Sequence, residues 1–325
     1  MSESTQDFLR GKIVTVLGGS GFFGTHLAQE LLGQGARLRL ASRAPGKAWR
    51  IKPLSNLGQV QFVAVDVTRS AHLAALLAGS DAVVNLVGAF SGNLDALQGS
   101  GAGRIAAAAR DAGVGSFVHV SAIGADPESP VDYARTKGEG EAAVLEAFPG
   151  ATILRPSVLF GQDDAFVMRF GGLIAALPAL PVFGPEAKLQ PLFVDDAARA
   201  VVAALSDDAV RGRIFEIAGP EVVTMLELNR RIAAAQGRRR SFVPLPDAVS
   251  GLIAALPGTP ITSDQWALLK AGNVADKGLP GLADLGIVSR PLSLFLDRWM
   301  VRLRKNGRFG ESTPGAAIPA PGPQF

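Results

Sequence analysis

The stretch KIVTVLGGSGFFG, residues 12–24, decides how the rest of the chain is read. Residues 12–17 form a short β-branched run that predicts a strand. Gly18, Gly21 and Gly24 follow at three-residue intervals, and an apolar helical pattern runs over 22–34. In a strand–turn–helix unit each glycine has its own task. The first permits the tight turn, the second lets backbone approach a pyrophosphate, and the third lets helix and strand pack closely. The helix start adds free N–H groups and a partial positive charge that suit phosphate oxygens. Gly18, Ser20, Gly21, Phe22, Phe23 and Gly24 are therefore the candidates to hold a dinucleotide.

Working outward, further strand signals fall at 36–41, 60–65, 82–87 and 117–120, separated by helical patterns at 71–77 and 103–112. Two more, at 151–154 and 214–217, read as additions to the same sheet. Short apolar strands alternating with helices predict an α/β fold with a doubly wound parallel sheet. Residues 161–190 are rich in Gly, Pro and Phe and read as a loop-and-helix excursion. From residue 221 onward helices dominate, at 225–236, 248–256, 263–271 and 292–304. The expected organisation is a dinucleotide-binding domain over 11–160, completed by about 191–219. A smaller, mainly helical C-terminal lobe takes 161–190 and 220–310. Its apolar segments 173–183 and 249–256 are expected to be core. The proline-rich end, 311–325, is expected to be disordered.

Composition narrows the chemistry. Of 325 residues 48% are apolar and 19% charged, too apolar for a disordered chain. There is no cysteine, which excludes thiol nucleophiles, disulfides and Cys-ligated metal. Only His26, His72 and His119 are available as imidazole ligands, far apart in sequence, so no metal site is expected. Asp7, Arg10 and Lys12 interrupt any N-terminal apolar run, and the stretch 171–183 is too short and too proline-broken to span a bilayer. A cytoplasmic protein is expected, with peripheral contact at the inner membrane as its other placement.

The second strand carries the cofactor preference. An NAD binder places Asp or Glu near the adenosine ribose, about 20 residues beyond the glycines. Here no acidic residue lies between Glu30 and Asp66, and the strand runs into Ser42 and Arg43. A guanidinium there suits a 2′-phosphate, so NADP(H) is favoured over NAD(H). Asp66, past the third strand, reads either as a partner for the adenine amino group or as a cap for the helix near Ser70.

The chain has one tyrosine, Tyr133, and eight lysines; one of them, Lys137, lies four residues on, on the same helical face. A nearby ammonium favours the phenolate, so the pair could exchange a proton with a substrate oxygen while Lys137 holds a ribose. Ser121 ends the fifth strand and reads equally as a substrate-carbonyl donor or a turn cap. Ser129-Pro130 reads as the N-cap and first residue of the Tyr133 helix.

Taken together, LGGSGFFG (17–24), SR (42–43), DV (66–67), NLVG (85–88), VSAIGA (120–125), YARTK (133–137), LRPSVLFG (154–161) and FVDDAARA (193–200) resemble the short-chain dehydrogenase/reductase superfamily in its extended or atypical branch, of Rossmann fold. The resemblance covers about residues 11–220. It implies that Asp66 and Val67 face adenine and that Leu86, Val87 and Gly88 border the cofactor. It also implies that Pro156 and Val158 line the nicotinamide pocket and that Tyr133 and Lys137 act beside it. Within that superfamily the run is most similar to the NADPH-binding accessory subunits of respiratory complex I and their bacterial relatives. That implies a nucleotide-holding element and, as a partner, the complex I peripheral arm. The other readings are an active NADP-dependent oxidoreductase or epimerase acting on a small carbonyl, sugar-nucleotide or quinone-like substrate, and a redox-sensing regulator.

Basic residues cluster at 238–240 and 298–305, the latter mixed with Trp299, Leu303 and, further on, Phe309. This basic C-terminal helix is read either as a peripheral membrane or partner contact or as a solvated face. Nucleic-acid binding is not expected at a net charge of +3.

Overall fold

The computed structural model describes residues 8–256, 261–305 and 307. Strands and helices alternate from the start: β1 (Ile13–Leu17), α1 (Phe22–Gly33), β2 (Arg37–Ser42), β3 (Val60–Ala64), α2 (Ser70–Leu77) and β4 (Ala82–Asn85). Then come α3 (Leu94–Gln98), α4 (Ser100–Asp111), β5 (Ser116–Val120), α5 (Asp132–Ala147) and β6 (Thr152–Pro156). After an excursion through α6 (Val167–Ala176), the chain re-enters with α7 (Val194–Ser206) and β7 (Ile214–Ile217). The sheet has seven strands in the order β7-β6-β5-β4-β1-β2-β3, every pairing parallel.

The two-residue period of the strands sorts their side chains onto two cores. Val14, Val16, Val84, Val118, Leu154 and Phe215 meet α1 and α7 on one face. Leu17, Val83, Phe117 and Ile153 meet α2, α4 and α5 on the other. Both faces are covered, as a doubly wound sheet requires.

The smaller lobe has its own core. α6, α8 (Met225–Ala235) and a parallel ribbon of Ala179–Val182 with Ser241–Pro244 enclose Ile174, Leu180, Leu228 and Ile232. The ribbon escaped the sequence reading because prolines broke its strand signal. α9 (Asp247–Ala254) and α10 (Ser263–Ala271) follow, then α11 (Ser293–Met300). Segment 249–256 is not the expected core: Val249 and Leu252 are exposed, and α9 buries only Ser250 and Ala254. One residue of the basic C-terminal helix also belongs to the core. Trp299 lies buried against Phe160, Phe193 and Phe295, so its ring is spent on the core rather than offered to a membrane. Phe309 and the end 311–325 lie outside the described residues.

The chain after α10 does not stay in the lobe. The Glu216 N–H of edge strand β7 donates to Pro280 O at 2.9 Å, and Leu282 and Ile287 join the first core. Asp196, fully buried on α7, anchors this return by accepting from Arg290 N–H at 2.7 Å and from its Nε at 2.8 Å. Among the described residues no helix is long and apolar enough to cross a membrane.

Candidate nucleotide site

The glycine turn sits at the carboxyl edge of the sheet. Gly18 has φ +82° and donates its N–H to Ala41 O at 2.8 Å. A Cβ at Gly24 would lie 2.7 Å from Gly18 O and from Gly19 backbone, so helix and turn could not close over an alanine. α1 starts from Gly21 with no side-chain cap and no acidic residue in its first turn, which leaves its positive end free of competing carboxylates. Ser20 Oγ donates to Ser42 Oγ at 2.8 Å and ties the turn to the end of β2. Phe22 packs edge-on to His26 and close against Gly161, while Phe23 is shared by the first core and the lobe. These two phenylalanines therefore offer an anion their backbone.

Arg43 is exposed just beyond Ser42. Asp66 accepts from the Thr68 hydroxyl at 2.7 Å and from the Thr68 N–H at 3.0 Å. These bonds hold its carboxyl below the usual carboxylate range, with smaller help from Arg69 and Arg43. Asp66 thus caps its own turn; the residue at the N-cap of α2 is Arg69. Val67 is buried in the second core, so its side chain packs rather than faces solvent.

The other end of the site is built from side chains. Leu86 N–H donates to Leu17 O at 3.0 Å, and Val87 N–H to Asn85 Oδ1 at 3.0 Å. A Cβ on Gly88 would come within 3.2 Å of Lys137 Nζ, so the fold brings these two candidates together. Lys137 is 4% exposed and donates to Val120 O at 3.2 Å. Burial pulls its ammonium down to about 8, against a weaker upward pull from Glu141. Ser121 is buried, and its Oγ has no partner among the described residues; the turn-cap reading therefore fails for its side chain. Pro156 O accepts from Ile123 N–H at 3.1 Å. Val158 has its N–H engaged by Asn273 Oδ1 at 2.6 Å, and its side chain packs, partly buried, against the core of the lobe.

Tyr133 differs from the sequence expectation. Its ring stacks on Phe90 with centroids 4.4 Å apart and planes at 12°. Burial pushes its hydroxyl up to about 12, and Lys137 does not offset this. The pair shares a helix face, but the ammonium is engaged with a backbone carbonyl instead of favouring a phenolate. α5 also starts later than read: Val131 is its N-cap, and Ser129 Oγ accepts from Val131 N–H at 3.2 Å within the preceding turn.

Several contributors escaped the sequence reading. His119 is fully buried on β5, with Nδ1 3.1 Å from Asn85 Nδ2 and Nε2 without a partner among the described residues. Burial, then Lys137, drive its imidazole down to about 3, so it is neutral. Gln98 accepts from Ala89 N–H at 3.0 Å and donates to Thr136 Oγ1 at 2.9 Å, fixing the loop after β4 against α5. The one available signal was a polar residue inside an otherwise apolar run, as in FVHV. Among the described residues no group of three or more His, Asp or Glu could hold a metal.

Against known proteins, residues 14–218 match the model of the NAD dependent epimerase/dehydratase family. The chain is 29% identical over 330 residues to the mitochondrial NADH dehydrogenase [ubiquinone] 1 alpha subcomplex subunit 9 of Arabidopsis thaliana, covering 95% of this chain and 82% of that one. The mouse (Mus musculus) protein of the same name is 29% identical, with 87% and 78% covered. Among solved structures, UDP-glucose-4-epimerase from Stenotrophomonas maltophila with bound NAD superposes at TM-score 0.67 and 21% identity, over 90% of this chain and 98% of that one.

Proposed function

The chain belongs to the NAD dependent epimerase/dehydratase family, as a Rossmann-fold nucleotide-binding protein related to the complex I accessory subunits, and from that premise we propose that it holds NADP(H) as an accessory element of a complex I peripheral arm. The observation that carries the holding role is the state of the Tyr133–Lys137 pair. Tyr133 is stacked on Phe90 with its hydroxyl kept protonated, and Lys137 is turned to Val120 O. A residue with a proton held this tightly is a poor base at neutral pH. The groups fit a dinucleotide: the turn and the α1 terminus would hold the pyrophosphate, and Arg43 would meet a 2′-phosphate through several donors. Lys137 would reach a ribose at the nicotinamide end. Bound nucleotide would stabilise the fold by mass action. Fluorescence titration with NADPH and NADH, together with recovery of peripheral-arm subunits on the tagged protein, tests this. Equal affinity for both cofactors removes the NADP preference, and a pull-down that recovers only the protein itself removes the partner.

One observation favours a second reading, an oxidoreductase on a small carbonyl or quinone-like substrate. Ser121 Oγ stands buried, with no partner among the described residues, one residue after the carbonyl that Lys137 binds. It could take a substrate oxygen, with the neutral Tyr133 donating a proton to the product alkoxide. Turnover abolished by Tyr133→Phe with nucleotide binding retained would favour this enzyme over the holder.

A further inference from the structure

Lys137 poses a physical problem. A buried ammonium whose one bond among the described residues is to a backbone carbonyl carries a heavy desolvation cost. Its own element and its neighbours supply the remedy. Glu141 stands one helical turn beyond Lys137 on α5, on the same face, and is 4% exposed. Its carboxylate is clamped by Arg155 of β6: Arg155 Nε donates at 2.9 and 3.2 Å and Nη2 at 2.7 Å. Arg155 Nη1 turns to Glu216 of β7 at 3.3 Å, and Glu216 Oε2 accepts the Asp276 N–H at 2.7 Å. Lys137, Glu141, Arg155 and Glu216 alternate in sign across three adjacent elements, so the set is neutral. The other polar groups around the lysine add no opposing charge. His119 of β5 is neutral, and Tyr133 keeps its proton.

We infer that Glu141, clamped by Arg155, is a positioning residue for Lys137: its fixed negative charge, one helical turn away, keeps the ammonium charged where it lies at the end of β5. A bidentate guanidinium fixes the orientation of the carboxylate, which a lone glutamate could not keep. Truncating one end of such a pair leaves a buried charge uncompensated, and its field falls on the next charge in line.

The test reads Lys137 directly. The whole protein is labelled with [ε-13C]lysine, the Lys137 signal is assigned through Lys137→Met, and its titration is followed. The wild-type midpoint is expected near 8. Glu141→Gln keeps the shape and removes the charge, and it should lower the midpoint by about one pH unit, a tenfold loss of the charged fraction above it. Glu216→Gln leaves the clamp intact and should move the midpoint the same way by less. A second readout rests on the nucleotide reading. NADPH affinity above the midpoint should fall about fivefold to tenfold in Glu141→Gln and match wild type well below it. An unmoved Lys137 titration in Glu141→Gln, or in Glu216→Gln should the first variant fail to fold, overturns the inference. A moved titration in a protein that binds no NADPH upholds it and removes the nucleotide reading instead.

Discussion

The two ends of the candidate site are made of different materials. The turn at Gly18–Gly24 is backbone, and its capacity to meet an anion comes from φ angles, close approaches and a helix terminus. The end at Tyr133 and Lys137 is side chain, and it depends on burial and on charges supplied by three elements. Geometry of the first kind is insensitive to pH and intolerant of a methyl group. The second kind depends on charge as well as on close packing, and it titrates.

The sharpest challenge to the division is steric. A Cβ at Gly140 would lie 1.9 Å from Gln98 O, so Gly140→Ala should push α5 off α3 and cost more than about 3 kcal/mol in urea denaturation. A small loss there would mean that the side-chain end is looser than its packing implies. Next comes the titration of Lys137. Its folded value lies below its unfolded one, so between about 8 and 10.5 the unfolded chain binds more protons. Stability should therefore rise with pH across that window, by about 3 kcal/mol at most, while nucleotide affinity falls as the ammonium is lost. Lys137→Met should flatten the stability rise. Stability and affinity moving in the same direction would break the assignment.

At the backbone end, Gly24→Ala should cost about 1–3 kcal/mol and weaken nucleotide binding at every pH. A pH-dependent loss would blur the contrast. Arg43→Ala should weaken NADPH about tenfold and NADH little, in paired titrations, because only a phosphate gains from the charge. The smallest effect belongs to Tyr133→Phe. It keeps the Phe90 stack and should shift stability by less than about 0.5 kcal/mol in a melt.

Legibility from sequence follows the same line. The strand–turn–helix unit and the alternation that builds the sheet are local patterns, so β1, α1 and β7 were readable within a residue or two. The likeness of Tyr133 and Lys137 to a catalytic pair was readable as well. How they are held was not, because it depends on partners distant in the chain: Phe90, Val120, His119 and the Arg155–Glu141 clamp. One of the two readings of Asp66, the helix cap, failed for a related reason. A carboxylate near a helix start reads as that helix's cap, yet Thr68 lies closer and takes it first. The return of 275–290 to the sheet carried no local pattern, since it is held by scattered bonds to Glu216 and Asp196 and by a few core contacts.

That return has a consequence for the life of the molecule as an isolated chain. β7 is an outer strand, and its open rim is met by the segment around Pro280. Without that cover the strand would present unpaired amides to any second copy. A chain ending before residue 275 should therefore keep its nucleotide turn and still fail as a soluble monomer, assembling rim to rim with its neighbours at high concentration. The return segment, 275–290, would then act as a built-in chaperone for the sheet.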